Sequence, residues 1–425
     1  MHDRRFSHDK QSASPDPTID RTSQQPYSLQ SALAAAWPTT RNRLPETVLA
    51  EIASDAAIAD ERGVLSEVAV DRLRRIGYFG LPVPAALQGG NAGLLECAAV
   101  QRRLASADPA LAIAVNMHLF SVGMSVEHWL RRRDSCGLIL EAIATQNRVV
   151  ASAFAEPGLG GALLQSSVKA QRTRGGYVVN GVKSPCSLAA MCDLVAFQMQ
   201  GEADDTAGLM TAFVPSSLPG LRVERSWDAL GMRGSGSDTL RFDDCVVPDE
   251  LIFHRHLPGD DIDEIFAAGL VWFCVTTTAT YLGVVQRALE AACGELRDTR
   301  PPHVEVTRAE LPSVQSQLGE LVAGTLALEC ACTGIAAQID SRQCDPRSVL
   351  PLAVAVKHTA VDACVGAVEG LAELAGGRSY ARTALLARLW RDVQAARFHP
   401  PNRLISRRAL GRSALGLSFS LDADA

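Results

Sequence analysis

Residues 227–250, with the sequence WDALGMRGSGSDTLRFDDCVVPDE, place a glycine- and serine-rich turn directly before a short alternating segment. In that segment Leu240 and Phe242 alternate with charged residues, which is the two-residue period of a strand that buries one face. The glycines before it favour a tight turn. The stretch therefore predicts a turn that leads into a strand of a small β domain.

Helical patterns flank this β region on both sides. In residues 44–148, the segments ETVLAEIASDAAIADERG and SEVAVDRLRRIGYFG repeat apolar residues every three or four positions and end at a glycine. The segment LLECAAVQRRLASADPALAIAVNMHLFSVGM continues that helical pattern. Residues 149–258 contain short β-branched runs with Gly-Gly and Asn-Gly turns, and long helical patterns return from residue 259 to 416. This order predicts an α+β multidomain fold that ends in a four-helix bundle.

The composition limits the classes of partner. The chain has 425 residues, of which 47% are hydrophobic and 21% charged, and its net charge is −6. Mild acidity without basic clusters argues against nucleic acid and against an anionic membrane surface. The sequence contains no run of about 18 uncharged apolar residues, so we expect no membrane-spanning helix. Residues 1–25 are polar and contain no apolar stretch of the signal-peptide type, and we expect residues 1–40 to form a disordered tail.

Cysteine and histidine spacing gives no metal signature. The eleven cysteines are scattered, with no Cys-x-x-Cys pair, and most lie among apolar residues. This usage predicts a reduced, cytoplasmic protein. His254 and His256, in the segment FHRHLPGDD, are interpreted as part of a solvated loop, because no cysteine partner accompanies them.

Five motifs occur in the order and spacing of the acyl-CoA dehydrogenase superfamily. They are FAEPGLGG (154–161), GGYVVNGVKS (175–184), the opening stretch, LGVVQRALE (282–290) and GGRSYARTALLARLWRDV (376–393). The chain resembles that family from about residue 50 to 416. The resemblance implies an N-terminal helical domain (44–148), a middle β-barrel (149–258) and a C-terminal four-helix bundle (259–416). It also implies a flavin, FAD or FMN, between these domains, and assembly as a homodimer or homotetramer.

The resemblance carries cofactor-binding residues onto these motifs. Glycine-rich turns let backbone N–H groups approach a phosphate or flavin ring closely. In the family, a Gly-Gly pair at the position of Gly376 and Gly377 meets the cofactor of a neighbouring subunit. The alternative is that all these glycines serve only hairpins and helix ends. The implied cofactor-binding residues are Ala155, Glu156, Gly160, Gly161, Ser187, Arg233, Ser235, Ser237, Arg300, Gly376 and Gly377.

The catalytic base of the dehydrogenases is missing from its expected place. In the family, a glutamate removes a proton from an acyl thioester, and alignment at Arg391 and Asp392 places that glutamate at Pro400. Proline cannot accept a proton. The family's second glutamate position falls near Phe273 and Cys274. If the base has moved, the nearest carboxylates to consider are Asp263, Glu264 and Glu290.

The segment RFHPPN (397–402) is similar to a second branch of the superfamily, the two-component flavin monooxygenases such as dibenzothiophene monooxygenases. These carry a His-x-Pro after the same helix and a histidine on an N-terminal helix, which correspond here to His399 and His118. Such enzymes receive reduced flavin from a separate reductase. An imidazole beside the flavin can hold and deliver a proton because its pKa lies near neutrality. The alternatives are that His118 is a satisfied core residue and that His399 only ends a helix.

The sequence therefore predicts a flavin-dependent oxidoreductase. The favoured activity is a reduced-flavin monooxygenase acting on a small organic or biosynthetic intermediate, with His399 and His118 as catalytic residues. One alternative is a dehydrogenase of an acyl-CoA or acyl-carrier-protein thioester whose base has relocated. Another alternative is a catalytically silent family member.

Overall fold

The computed structural model describes residues 36–162, 164–202, 208–257 and 262–421. The N-terminal part is helical, as its periodicity predicts. Its helices are α1 (Glu46–Arg62), α2 (Glu67–Arg75), α3 (Leu94–Ala107), α4 (Pro109–Arg132) and α5 (Cys136–Gln146).

Capping residues set the limits of these helices. Helix α1 ends at Gly63, whose φ of +64° is left-handed and suits glycine. The sequence pattern continues without a break from α3 into α4, but the structure divides it at Asp108, where φ is −143°. The Asp108 carboxylate accepts hydrogen bonds from the backbone N–H groups of Ala110 and Leu111, at 3.0 and 3.1 Å. Pro109 then takes the first helical position, where its missing N–H costs nothing.

The predicted disordered tail ends earlier than expected. Residues 1–35 lie outside the described residues, but Trp37 and Thr40 are buried. The indole N–H of Trp37 donates to the carboxylate of Glu329, which also pairs with Arg102 at 2.9 Å. Residues 36–40 therefore belong to the folded protein and not to a tail.

The middle part is one eight-stranded sheet. The strands run in the order β6-β7-β3-β2-β4-β5-β8, and β1 pairs in parallel with β4. The strand predicted after the glycine-rich turn is β7, which pairs antiparallel with β3, and its Leu240 and Phe242 are buried. The strands are β1 (Val150–Ala153), β2 (Lys169–Thr173), β3 (Gly176–Cys186), β4 (Leu194–Gly201), β5 (Leu209–Pro215), β6 (Leu221–Glu224), β7 (Asp238–Pro248) and β8 (Ile252–His256).

The C-terminal part is again helical. Helix α6 is its centre and packs against α8 within the bundle and against α3 and α4 of the N-terminal part. The predicted helix around residue 390 is short, because α9 gives way to a 3-10 turn at Gln394–Arg397 before the two prolines. The helices are α6 (Glu264–Asp298), α7 (Pro312–Ser341), α8 (Pro346–Ala375), α9 (Leu385–Val393) and α10 (Arg403–Ala414).

Four of the described helices, α4, α6, α7 and α8, are long and apolar enough to cross a membrane by length and composition alone. In this fold the apolar windows of α4 and α6 are 94% and 100% buried inside the protein. Both helices form the centre of the core. The apolar windows of α7 and α8 are 39% and 50% buried.

The prediction that His254 and His256 lie in a solvated loop is wrong. Both histidines lie on β8, which pairs with β5, and both are buried. Their imidazoles contact the carboxylate of Asp263, His254 at 2.9 Å and His256 at 3.4 Å. The pairing of β8 with β5 buries this segment. Through Asp263, the two histidines connect the sheet to the start of α6.

Candidate active site

A cavity of about 470 Å³ lies where the three parts of the chain meet. We call it the central cavity. Helices α4 and α6, strands β1 and β4, the loop 227–237 and the segment 391–400 all contribute to its lining. The glycine- and serine-rich turn before β7 and the His-Pro-Pro segment therefore both reach the same site.

One half of the central cavity is apolar. Phe120 packs edge-on against Phe154 and Phe273, with ring centroids 5.2 and 5.4 Å apart. Met117 and Met124 of α4 lie beside these rings and also line the cavity. Such walls exclude water from a reacting group and accept apolar ligands of varied shape.

The other half carries hydroxyl groups. Ser187, Ser237 and Ser235 all line the cavity, and their hydroxyls form a chain with 2.8 Å between neighbouring oxygens. Ser235 and Ser237 are buried by the glycine-rich turn before β7. Ala155 and Trp227 complete this side of the lining. The predicted residues Ala155, Ser187, Ser235 and Ser237 are thus brought together.

Gln198 is a polar residue of the cavity that the sequence did not single out. It lies on β4, is 2% exposed, and its side-chain nitrogen has no hydrogen-bond partner among the described residues. Ser152, on the neighbouring strand β1, lines the same wall. A buried donor without a partner is costly unless a ligand satisfies it, so Gln198 marks a contact point for a bound molecule.

His399 lies at the cavity wall. Its ring is 6.5 Å from that of Phe273 and 5.9 Å from that of Tyr281, measured between centroids. Its Nε2 is buried and has no hydrogen-bond partner among the described residues. Burial, together with the nearby ammonium of Lys357, lowers the pKa of His399 to about 3. The imidazole is therefore neutral at physiological pH, with an unused nitrogen.

His118 does not share this environment. Its Nε2 lies 2.8 Å from the carbonyl oxygen of Phe79, and its Nδ1 accepts the backbone N–H of Val150 at 3.0 Å. The side chain is fully buried and is not part of the cavity lining. Burial lowers the pKa of His118 to about 4, so the ring is neutral and both nitrogens are occupied. The predicted catalytic role is corrected: His118 joins α4 to the start of β1.

Glu156 is held by a buried ion pair. Its carboxylate bonds the ammonium of Lys183, the hydroxyls of Ser166 and Ser167, and the backbone N–H of Ser167. Burial alone would raise the pKa of Glu156, but Lys183 and these donors outweigh it and lower the pKa. Glu156 lies next to Ala155 of the lining, and its side chain fixes this loop to β3 without lining the cavity itself.

Three further predicted residues support the cavity from outside. The carbonyl of Gly160 accepts a hydrogen bond from the Asn402 side chain at 2.8 Å, and Gly161 faces the same amide. Both glycines have positive φ, +60° and +90°, which favours glycine. Arg233 donates to the backbone carbonyls of Asp60 and Ala229. These contacts hold the loops around the cavity.

Arg300, Gly376 and Gly377 lie elsewhere. Arg300 is exposed two residues beyond the end of α6, and the two glycines follow α8. None of the three lines the central cavity. The predicted contact of the two glycines with the cofactor of a neighbouring subunit, and the predicted cofactor-binding role of Arg300, stay predictions.

The candidate relocated bases are engaged away from the cavity. Asp263 caps α6 and accepts hydrogen bonds from His254 and from two backbone N–H groups. Burial would raise its pKa, but these contacts lower the pKa of Asp263 to about 2. Glu264 pairs with Arg131 at 3.4 Å, and Glu290 bonds Gln286 on the surface of α6. Among the described residues, no carboxylate lines the central cavity, and Pro400 does line it.

The residues present fit a flavin. The apolar wall suits a planar aromatic ring system, and the three serine hydroxyls, with the amide of Gln198, suit its polar edge. Arg391 also lines the cavity, but Asp60 occupies its guanidinium. No local pattern in the sequence marks Gln198, because its place in the lining depends on how β4 packs in the folded sheet.

Family models support this assignment over most of the chain. The N-terminal, middle and C-terminal domain models of acyl-CoA dehydrogenase match residues 39–129, 151–245 and 275–402. The predicted three-part architecture and the resemblance to this family are confirmed.

Two curated relatives are similar over nearly their full lengths. The amino sugar nitrososynthase DnmZ of Streptomyces peucetius is 30% identical over 87% of this chain and 92% of its own. The isobutylamine N-hydroxylase of Streptomyces viridifaciens is 29% identical over 81% of this chain and 89% of its own.

Two solved structures have the same fold. KijD3 in complex with FMN and a dTDP-linked amino sugar has a TM-score of 0.81 at 26% identity, covering 90% of this chain and 96% of KijD3. FMN-bound TdsC from Paenibacillus sp. A11-2, a dibenzothiophene monooxygenase, has a TM-score of 0.79 at 21% identity, covering 92% and 99%.

Proposed function

The chain belongs to the acyl-CoA dehydrogenase superfamily of flavin-dependent oxidoreductases, and we propose that it is a reduced-flavin monooxygenase. One observation carries this proposal. Among the described residues, the central cavity has no carboxylate in its lining, whereas His399 at its wall has an unpaired Nε2. A dehydrogenase needs a carboxylate within reach of the substrate, and an oxygenase needs a proton carrier in a dry site.

When bound, reduced flavin supplies two electrons for the splitting of O₂, so that one oxygen atom enters the substrate and the other leaves as water. His399 holds a proton at this place. Because the pKa of His399 is about 3, its imidazole stays neutral, with one N–H and one lone pair, so Nε2 donates or accepts a hydrogen bond according to the tautomer. The rings of Phe120, Phe154 and Phe273 exclude water, which limits wasteful loss of hydrogen peroxide.

The proposed substrate is a small, uncharged molecule with an oxidisable nitrogen or sulfur. The only charged side chain in the described lining, Arg391, is already paired with Asp60. Burial of a substrate ammonium without a partner would be costly in this cavity. An amine therefore enters as its neutral form, with its lone pair free for oxidation. Gln198 offers the hydrogen bond that orients it.

The proposal includes partners and assembly. FMN or FAD is the cofactor, and a separate flavin reductase supplies it in reduced form. Two large side chains are exposed on the surface: Phe398 of the cavity lining is 80% exposed, and Tyr380, on the turn after α8, is 91% exposed. Burial of such side chains against a second copy favours a homodimer or homotetramer. The proposed location is the cytoplasm.

The test follows the fate of O₂. Anaerobically reduced FMN is bound to the protein and mixed with O₂ in a rapid-quench instrument, with free reduced FMN as reference. We expect hydrogen peroxide release at least about tenfold slower from the protein than from free flavin, because the cavity excludes water. Indole and isobutylamine then serve as probe substrates, and mass spectrometry measures the transfer of ¹⁸O from ¹⁸O₂.

Two other outcomes identify the rival activities. Rapid peroxide release, together with bleaching of oxidised flavin by a saturated acyl-CoA, would establish the dehydrogenase with a relocated base. Failure to bind FMN or FAD at all would establish a catalytically silent member. The variant Lys169→Met changes an exposed lysine on β2 and is the control for handling and folding.

A further inference from the structure

Lys357 is a buried cation behind the His-Pro-Pro segment. It lies on α8, is 3% exposed, and its ammonium donates hydrogen bonds to the carbonyl oxygens of His399 and of Pro401. The second of these bonds measures 2.9 Å. The sequence itself indicates that this lysine is buried, since it lies among apolar residues in the helical segment VLPLAVAVKHTAV.

This ammonium has no carboxylate partner among the described residues. Its two recorded bonds are both to backbone carbonyls of one short segment. A buried ammonium loses its hydration and is normally paired with an acid, so a lysine satisfied by carbonyls alone has a high cost. The two carbonyls that Lys357 bonds therefore indicate what this lysine does in the protein.

The segment it holds has few donors of its own. Pro400 and Pro401 have no backbone N–H, so this part of the chain cannot anchor itself through its own N–H groups. Besides Lys357, the hydroxyl of Ser406 donates to the Pro401 carbonyl at 3.1 Å. Of these two side chains, Lys357 also donates to the carbonyl of His399, whereas Ser406 bonds Pro401 alone.

We propose that Lys357 is a positioning residue, which fixes the backbone of His399 and thereby holds its imidazole at the wall of the central cavity. This inference rests on the proposed function of that cavity. Lys357 is not itself part of the lining and reaches it only through the backbone of the His-Pro-Pro segment.

The charges around His399 agree with this role. Burial lowers the pKa of Lys357 to about 8, so it is mostly charged at pH 7, and its charge opposes protonation of His399. The groups packed nearby on other helices are Cys274 and Tyr281 of α6 and Asp392 of α9. Burial raises the pKa of Cys274 to about 12 and that of Asp392 to about 7, and also raises that of Tyr281.

The experiment measures His399 directly in the flavin-free protein. Histidine labelled with ¹⁵N is followed by NMR from pH 8 to pH 4.5, and the His399→Asn variant assigns its signals. We expect His399 to stay neutral throughout in the natural protein. In Lys357→Met its titration midpoint should rise by about one to three pH units, because the opposing charge is removed. Lys357→Arg should restore the neutral state, and the control Lys169→Met should leave it unchanged.

Oxygen chemistry gives the second measurement. Lys357→Met should release hydrogen peroxide from bound reduced flavin about tenfold faster than the natural protein, with flavin affinity unchanged. Lys357→Arg should recover most of the difference. If Lys357→Met does not fold, Lys357→Gln is measured instead. Its amide still donates hydrogen bonds but carries no charge, so the titration midpoint of His399 should rise while peroxide release stays slow.

The outcomes separate this inference from the proposed function. His399 signals that are the same in Lys357→Met as in the natural protein would overturn the inference, whatever the activity. Rapid peroxide release from Lys357→Gln, which keeps a hydrogen-bond donor at this place, would also overturn it. A raised midpoint without any oxygen transfer would leave the positioning role intact and reject the monooxygenase instead.

Discussion

Replacing each of the two histidines in turn distinguishes chemistry from structure. In His399→Ala, a ring whose Nε2 has no partner is removed, so the free energy of unfolding should change by no more than about 1 kcal/mol. The chemical effect should be far larger. A positioned proton carrier contributes about 10²–10⁴ in rate, which corresponds to about 2.7–5.4 kcal/mol of barrier.

His118→Phe should behave in the opposite way. Phenylalanine keeps the ring volume but leaves the Phe79 carbonyl and the Val150 N–H without their partner. Each buried group left unsatisfied costs about 1–3 kcal/mol, so the variant should lose about 2–6 kcal/mol of stability. Its folded fraction should retain reduced flavin chemistry, because His118 does not line the cavity.

Two assays measure this contrast. Urea unfolding gives the stability of each variant, and rapid quenching gives the rate of hydrogen peroxide release after O₂ is mixed with the reduced holoprotein. His399→Ala should release peroxide at least about 10²-fold faster with little change in stability. The assignment of roles is refuted if His399→Ala keeps the peroxide time course of the natural protein, or if folded His118→Phe loses it.

Three further predictions concern the surroundings of the cavity. Glu156→Gln leaves the Lys183 ammonium buried and unpaired, so urea unfolding should show a loss of about 3–5 kcal/mol. The folded pKa of His118, about 4, lies below its ordinary 6.5. Its stabilising contribution is therefore complete above pH 6.5 and is lost as pH falls toward 4, so His118→Phe should flatten the decline from pH 7 to pH 5 by about 2 kcal/mol. Ser237→Ala breaks the hydroxyl chain and should weaken FMN binding about fivefold, as measured by quenching of flavin fluorescence.

The fold was accessible from sequence because its signals are periodic and local. Alternation at Leu240 and Phe242 and the three- to four-residue repeats before Gly63 are patterns of neighbouring residues, and the structure has a strand and a helix there. The break between α3 and α4 at Asp108 could not be predicted from periodicity, because apolar residues keep their helical spacing on both sides of it. The placement of His254 and His256 on β8 depends on pairing with β5, which no local pattern reveals.

Only part of the site could be predicted from the sequence, because its contacts join residues that are far apart in the chain. His118 and His399 both occur among apolar residues, and the sequence cannot distinguish them. The partners that occupy His118 come from residues 39 and 32 positions away in the chain. Only the folded chain shows that one imidazole is satisfied by backbone and the other is not.

Pro400 affects both the chemistry and the structure of the cavity wall. Its ring occupies the place where the resemblance puts the dehydrogenase base, and it lines the cavity without any group that exchanges a proton. The same residue also removes a backbone N–H next to His399, and Pro401 removes the one after it. A segment with these two prolines needs donors from outside, and Lys357 supplies them at the carbonyls of His399 and Pro401. The absence of a base and the dependence on the buried lysine are therefore both tied to these two prolines, and this is why the proposal assigns the proton of the cavity to His399.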